Sequence, residues 1–271
     1  MTFTHSLSQI PSEKQILKHL KNTVFGKRVC CPDCRRKMYV QELKKNRLWR
    51  CQKCRNKFSI TSVNWLRGMK LSHQHLWALI WAWQHKINVQ QAQVLLKLSI
   101  PTIRRYYALF RDNLQLDYDV ILEGKVQMDE MFVRGAFVIW AKDIKNKKIK
   151  LMAVRKKSPS KQDAMELIMN HVRIGSTLQT DGGSIYRGCE KWWPVKHKRD
   201  IHSRFEFGLT SEIEGVWANF RTFVRRMYHH ITVKYLAKTV AEFEARFSQK
   251  ELFESPLAFI KNSLSPVTLA L

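Results

Sequence analysis

The 271-residue chain carries 48 Lys and Arg against 22 Asp and Glu, a formal net charge of +26. An excess of that size opposes compaction through self-repulsion and points to a polyanionic partner. Its 45% hydrophobic content, with 14 Phe and 9 Trp, excludes a disordered basic protein, and the strongest apolar run, residues 76–83, is far too short to span a membrane.

At the N-terminus, Ser6, Ser8 and Gln9 interrupt any basic region leading into an apolar run, so no secretory signal is expected. Pro11 and Ser12 precede a helical pattern of Ile16, Leu17, Leu20 and Val24, which Gly26 ends. Five of the six cysteines then fall between Cys30 and Cys54, with Cys189 alone. This clustering fits metal binding in a reducing compartment better than a disulfide framework. Cys31-x2-Cys34 and Cys51-x2-Cys54 each supply two thiolates from one tight turn, the arrangement of a structural tetrahedral zinc; a redox pair or unbound thiols is the alternative. Cys31 is preferred over the adjacent Cys30, because its spacing matches the second pair and Pro32 suits the turn. Short strands are expected at residues 38–40 and 48–49 around the polar stretch 41–47, with a third at Phe58 and Ile60. Residues 1–66 thus read as a helical lead-in and a zinc ribbon. Trp49 is expected over its small core, with stacking on a nucleic acid as the alternative.

Residues 72–115 read as helical. Ser72 is a plausible N-cap ahead of Leu76, Trp77, Ile80 and Trp81. Val89, Ala92 and Leu96 give one further apolar face and Ile103, Tyr106, Tyr107 and Phe110 another, with a break at residues 98–101. Two short helices around a tight break, the second bearing Arg104, Arg105 and Arg111, have the pattern of a helix-turn-helix that contacts DNA; a plain helical linker is the alternative.

In residues 122–250 the pattern changes to strands. Val126 and Met128 alternate around Gln127 and place Asp129 at the middle or end of a strand. Strands are expected at residues 137–141 and 149–154, then a helix carrying Ala164, Leu167, Ile168 and His171. A further strand at residues 176–180 ends at Asp181-Gly182-Gly183. This order predicts a mixed α/β fold. Ile213, Trp217, Phe220, Val224 and Met227 form the apolar stripe of a helix over residues 212–227, with Glu214 near its start and Arg221 two turns on. A last helix spans residues 233–247, and residues 251–271 read as a tail. Three acids at element ends, Asp129, Asp181 and Glu214, are the supply of carboxylate oxygens that a two-metal phosphodiester centre requires; ordinary turn and helix-start roles are the alternative. Arg155, Lys156, Lys157, Arg225 and Arg226 extend the basic surface for DNA without sequence preference, or are solvated charge.

Taken together, CPDCRRK, WRCQKCRNKFSITS, VQMDE, TDGGSIYRG and the stretch from TSEIEGVW to FEARF resemble the insertion-sequence DDE transposases with an N-terminal zinc ribbon, related to Merlin elements. The resemblance covers nearly the whole chain from Cys31 to Phe247. It implies a multidomain α+β and α/β architecture: zinc ribbon, helix-turn-helix-like segment and ribonuclease-H-like mixed-sheet catalytic domain. It implies catalytic residues Asp129, Asp181 and Glu214, with Arg221 at a basic position, and two Mg²⁺ or Mn²⁺ ions beside the structural Zn²⁺. The partners implied are double-stranded DNA, both terminal inverted repeats and target, and a further copy of the chain, as a homodimer or higher oligomer. The location implied is the bacterial cytoplasm at the nucleoid, or the nucleus in a eukaryote. A decayed or repurposed DNA-binding protein and a stand-alone metal-dependent nuclease are the alternative functions.

Overall fold

The computed structural model describes residues 10–44, 47–117, 119–133, 135–199, 211–229 and 231–267, the first four of the 211–229 stretch by their backbone alone. Two compact units divide the chain, residues 1–115 with 251–271, and residues 116–250. No helix among the described residues is long and apolar enough to cross a membrane.

The first unit opens with helix α1 (Glu13–Phe25). Ser12 and Gln15 cap its start reciprocally, and Gly26 ends it at a φ of 65°. Its buried residues Ile16, Leu17, Leu20, Val24 and Phe25 form one stripe. Strands β1 (Val40–Lys44), β2 (Leu48–Cys51) and β3 (Lys57–Phe58) form an antiparallel sheet in that order. The first strand starts where the sequence pattern ended it and runs through residues expected as a polar turn. Ladder hydrogen bonds to β2 hold it, and four of its five side chains face solvent, so no apolar alternation marks it. Ile60, expected in the third strand, instead begins a 3₁₀ turn. Trp49 is buried between Phe25 and Phe58, as expected of a core residue.

Helices α2 (His73–Gln84), α3 (Val89–Leu96) and α4 (Ile100–Asp112) follow. Ser72, Asn88 and Ser99 each accept a backbone N–H of the helix they start. The Glu13 carboxylate also accepts the backbone N–H groups of His73 and Gln74, so an acid of α1 satisfies the free donors of α2. Helix α3 is capped by Lys97 in the left-handed region, and Ser99, the N-cap of α4, follows two residues later, at the expected break. The residues read as a tail contribute a further helix, Pro256–Ser263, whose Phe259 packs on Trp65, Trp83 and Phe110.

In the second unit, β4 (Lys125–Val133), β5 (Ala136–Asp143) and β6 (Ile149–Val154) are antiparallel neighbours, while β7 (Thr177–Thr180) and β8 (Lys196–Arg199) pair parallel; the sheet order is β6-β5-β4-β7-β8. Strand β8 carries no apolar signal. It is an edge strand of Lys, His, Lys and Arg, a composition that discourages pairing with another chain. Val126, Met128, Ile139 and Ala141 pack against Ala164, Leu167 and Ile168 of helix α5 (Lys161–His171). Trp140 meets Trp217 and Phe220 of helix α6 (Ser211–Tyr228) and Phe243 of helix α7 (Val233–Ser248). Coverage on both faces is why these strands read as nearly continuous apolar runs. At the other edge, buried Glu244 of α7 accepts the Leu151 N–H at 2.9 Å and pairs with Lys150 at 2.9 Å, closing the free side of β6.

Candidate functional site

The four ribbon cysteines converge. Cys31 and Cys54 sulfurs lie 3.4 Å apart, and Cys34 and Cys51 sulfurs 3.5 Å apart. A zinc tetrahedron with Zn–S of about 2.3 Å has sulfur–sulfur edges of about 3.8 Å, so a small expansion admits the ion. Both knuckles are built alike. Arg35 and Arg55, each the residue after a second cysteine, adopt positive φ, and the Cys31 and Cys51 N–H groups donate to the carbonyls of Arg36 and Asn56. Cys30 is excluded from this group, since its thiol donates to the Val267 carbonyl at 3.2 Å. The four-cysteine cluster suggests a structural Zn²⁺ site.

The second centre arises from strand register. Pairing of β4 with β7 ends at Gln127↔Gln179; two residues on stand Asp129, within β4, and Asp181, one residue past the end of β7. Parallel strands in register present such residues on the same face, so the two aspartates meet where the pairing stops. Asp129 is therefore the fifth residue of a nine-residue strand rather than its end, because β5 continues to pair it, opposite Trp140.

Glu130 joins them: oxygens of Asp129, Glu130 and Asp181 all lie within 4.8 Å of one another. Asp129 Oδ1 accepts the Glu130 N–H at 2.8 Å, and Oδ2 accepts Trp217 Nε1–H at 2.7 Å. Asp181 Oδ1 accepts the Gly183 N–H at 2.9 Å, and the buried Tyr186 hydroxyl donates to Glu130 Oε2 at 2.8 Å. Burial is the main reason the Glu130 carboxyl is pushed up to about 7; the Tyr186 hydrogen bond offsets part of this, and the Asp181 and Asp129 charges add to it. Burial also holds the Tyr186 hydroxyl well above its ordinary value. The two glycines after Asp181 have separate reasons. Gly182 has a φ of 82°, and a Cβ on Gly183 would stand 3.1 Å from Asp181 Oδ1 and 3.4 Å from Glu130 Oε1.

Glu130 and Trp217 were not singled out from the sequence as site residues. The available signals were an ionisable residue within an apolar strand and a Trp one turn after Glu214 on the apolar stripe. The backbone of Glu214 lies in the first turn of α6, and its side chain lies outside the described residues. Arg221 is exposed one turn beyond Trp217.

The basic residues expected at DNA are mostly exposed: Arg104 and Arg105 on α4, Arg155 and Lys157 after β6, Arg225 and Arg226 in the last turn of α6. Arg111 is half-buried. Lys156 is exposed but pairs with Asp163 at 2.8 Å, at the capped start of α5.

The described residues thus hold a four-cysteine cluster in the first unit and a cluster of three carboxylates at the sheet of the second. Residues 121–248 match the ISXO2-like transposase domain and residues 11–57 the transposase zinc-ribbon domain, both of the IS1595 type. The chain is thus an IS1595-family transposase, with an N-terminal zinc ribbon and a DDE-type domain, and this family identity implies DNA binding. No curated protein matches the chain.

Proposed function

We propose that the protein is an active insertion-sequence transposase that binds terminal inverted repeats, cleaves DNA at the element ends and joins the freed 3′ ends to target DNA. The observation that carries this reading is the in-register meeting of Asp129 and Asp181 at the divergence of β4 and β7. The sheet order and strand directions support a ribonuclease-H-like assignment, and a kinship with Merlin elements belongs to the same reading.

The donor set consists of hard carboxylate oxygens, which fits Mg²⁺ or Mn²⁺. Asp129, Asp181 and Glu214 are the residues that would hold such ions. When bound, such ions activate the attacking water or 3′-hydroxyl and take charge from the leaving oxygen. The remaining work falls to the chain itself. Trp217 holds one Asp129 oxygen in place. Gly183 leaves room for the Asp181 and Glu130 carboxylates to approach each other. Arg221 orients a phosphate, and Arg104, Arg105 and Arg111 with the exposed basic residues hold the DNA backbone. Synapsis of two element ends requires a dimer or larger assembly. The setting is the bacterial nucleoid, or the nucleus in a eukaryotic host.

The test uses the purified full chain, Mg²⁺ and DNA bearing the element ends, with cleaved 3′ ends and joined products assayed separately. Asp129→Asn and Asp181→Asn should each abolish cleavage while end binding survives. Glu214→Gln should do the same less completely, and Arg221→Ala should impair the reaction more mildly. Cleavage without joining would identify a nuclease instead. Undiminished cleavage by Asp129→Asn would remove the proposed centre.

A further inference from the structure

A second group of metal-binding side chains lies away from the three carboxylates, on the other side of Thr180. Cys189 and Glu190 stand in a 3₁₀ turn, Cys189–Lys191, and His197 on β8. The Cys189 sulfur is 3.6 Å from Glu190 Oε2, and His197 Nδ1 is 3.6 Å from the same oxygen; one ligand atom from each of the three lies within 4.8 Å of the others. A separation of 3.6 Å between nitrogen and oxygen is too long for a hydrogen bond. It is close to the edges of a zinc tetrahedron, about 3.4 Å for N···O and 3.6 Å for S···O from ordinary Zn–ligand bond lengths. The Cys189 thiol donates to Glu190 Oε2, and the same 3.6 Å spacing also suits three ligands around one ion.

From this geometry we propose that Cys189, Glu190 and His197 form a second zinc site, within the catalytic unit. A thiolate, an imidazole and one carboxylate are the donors of Zn²⁺ rather than of Mg²⁺. Three protein ligands leave the fourth position to water, on the side where the Glu190 side chain is 49% exposed. His197, whose side chain is 4% exposed, is already oriented: its Nε2 lies 3.0 Å from Thr180 Oγ1. With Nε2–H donated to that hydroxyl oxygen, Nδ1 keeps its lone pair towards Cys189 and Glu190, the support that metal-bound histidines have behind them. Binding releases the Cys189 thiol proton to solvent and leaves the thiolate on the ion. The site would fasten the edge strand β8 and the Cys189 turn to the end of β7. Thr180, which also accepts the Gly182 N–H at 3.3 Å, immediately precedes Asp181. The proposal stands whether or not the carboxylate centre is catalytic.

The experiment takes the full chain with its ribbon saturated by zinc and titrates it with Co²⁺. Cobalt at the three carboxylates has no sulfur ligand, so a sulfur-to-cobalt charge-transfer band reports on the Cys189 site. The expected result is one such band saturating at one cobalt per chain without release of zinc, and absent in Cys189→Ser. Thr180→Val should weaken cobalt binding roughly ten- to a hundredfold, as loss of support behind a metal-bound histidine does. Glu190→Gln, at a half-exposed side chain, gives an independent reading should the buried cysteine variant fail to fold, and must also lower the affinity. Absence of the band in the parent chain, its persistence in folded Cys189→Ser, or unchanged affinity in Glu190→Gln would each overturn the proposal.

Discussion

Trp217 Nε1 donates to Asp129 Oδ2 at 2.7 Å, across 88 residues of sequence. This bond ties helix α6 to strand β4, and the Trp217 ring rests on Trp140, the β5 residue paired with Asp129. The helix that carries Glu214 is thereby fixed against the strand that carries Asp129.

Trp217→Phe keeps the ring against Trp140 and removes only the donor. Cleavage should fall roughly ten- to a hundredfold, the usual loss when a group that orients a metal ligand is removed. More Mg²⁺ should be needed for half-maximal rate, while end-binding affinity stays level. A Mg²⁺ titration of the cleavage rate reads this, and an unchanged half-maximal concentration would show that the bond only braces the fold.

Glu130 predicts a pH signature in protein without added Mg²⁺. Its carboxyl is raised to about 7 from 4.5, so the folded chain holds a proton that the unfolded chain releases between those values. Stability contributed by this group is therefore complete below about pH 4.5 and is lost as pH rises towards 7. Glu130→Gln cannot ionise and still accepts from Tyr186. At about pH 8 it should be more stable than the parent by roughly 2 kcal/mol after allowance for solvent screening. Denaturant unfolding across the pH range should show this gap closing towards pH 4.5, and a constant gap would contradict the assignment.

The ribbon should hold one zinc with four sulfur neighbours, measurable by metal analysis and X-ray absorption. Cys34→Ser should release that ion and unfold the ribbon, because apparent zinc binding of roughly 10 to 16 kcal/mol is also folding energy in such small modules. Cys30→Ser should leave the zinc in place, since the Cys30 thiol faces the Val267 carbonyl.

Replacing Arg104, Arg105 and Arg111 together by Ala should weaken DNA binding and flatten its salt dependence. Each lost phosphate contact removes about 0.9 from the slope of log affinity against log salt, so the full change is up to about 2.7. Half-buried Arg111 should contribute least. An unchanged slope in a folded variant would make α4 a spacer rather than a DNA-contacting helix.

Much of this protein is local and therefore legible in its sequence. Ser12 and Ser72 mark helix starts because a short side-chain oxygen satisfies nearby backbone donors. The two Cys-x2-Cys turns state their chemistry within four residues each. The alternation around Asp129 placed it on a strand, and the glycines after Asp181 placed it where a strand ends. Strand β8 was invisible because an exposed edge strand needs no apolar pattern, and β1 was misplaced for the same reason. Only tertiary structure decided that Glu130 reaches the aspartates, since neighbours on a strand ordinarily point to opposite faces. The Trp217–Asp129 bond, the exit of Cys30 towards Val267 and the approach of His197 to Cys189 likewise join residues whose sequence separation carries no periodic signal. Register and packing between distant segments fix these pairs, and a periodicity read along one segment cannot encode them.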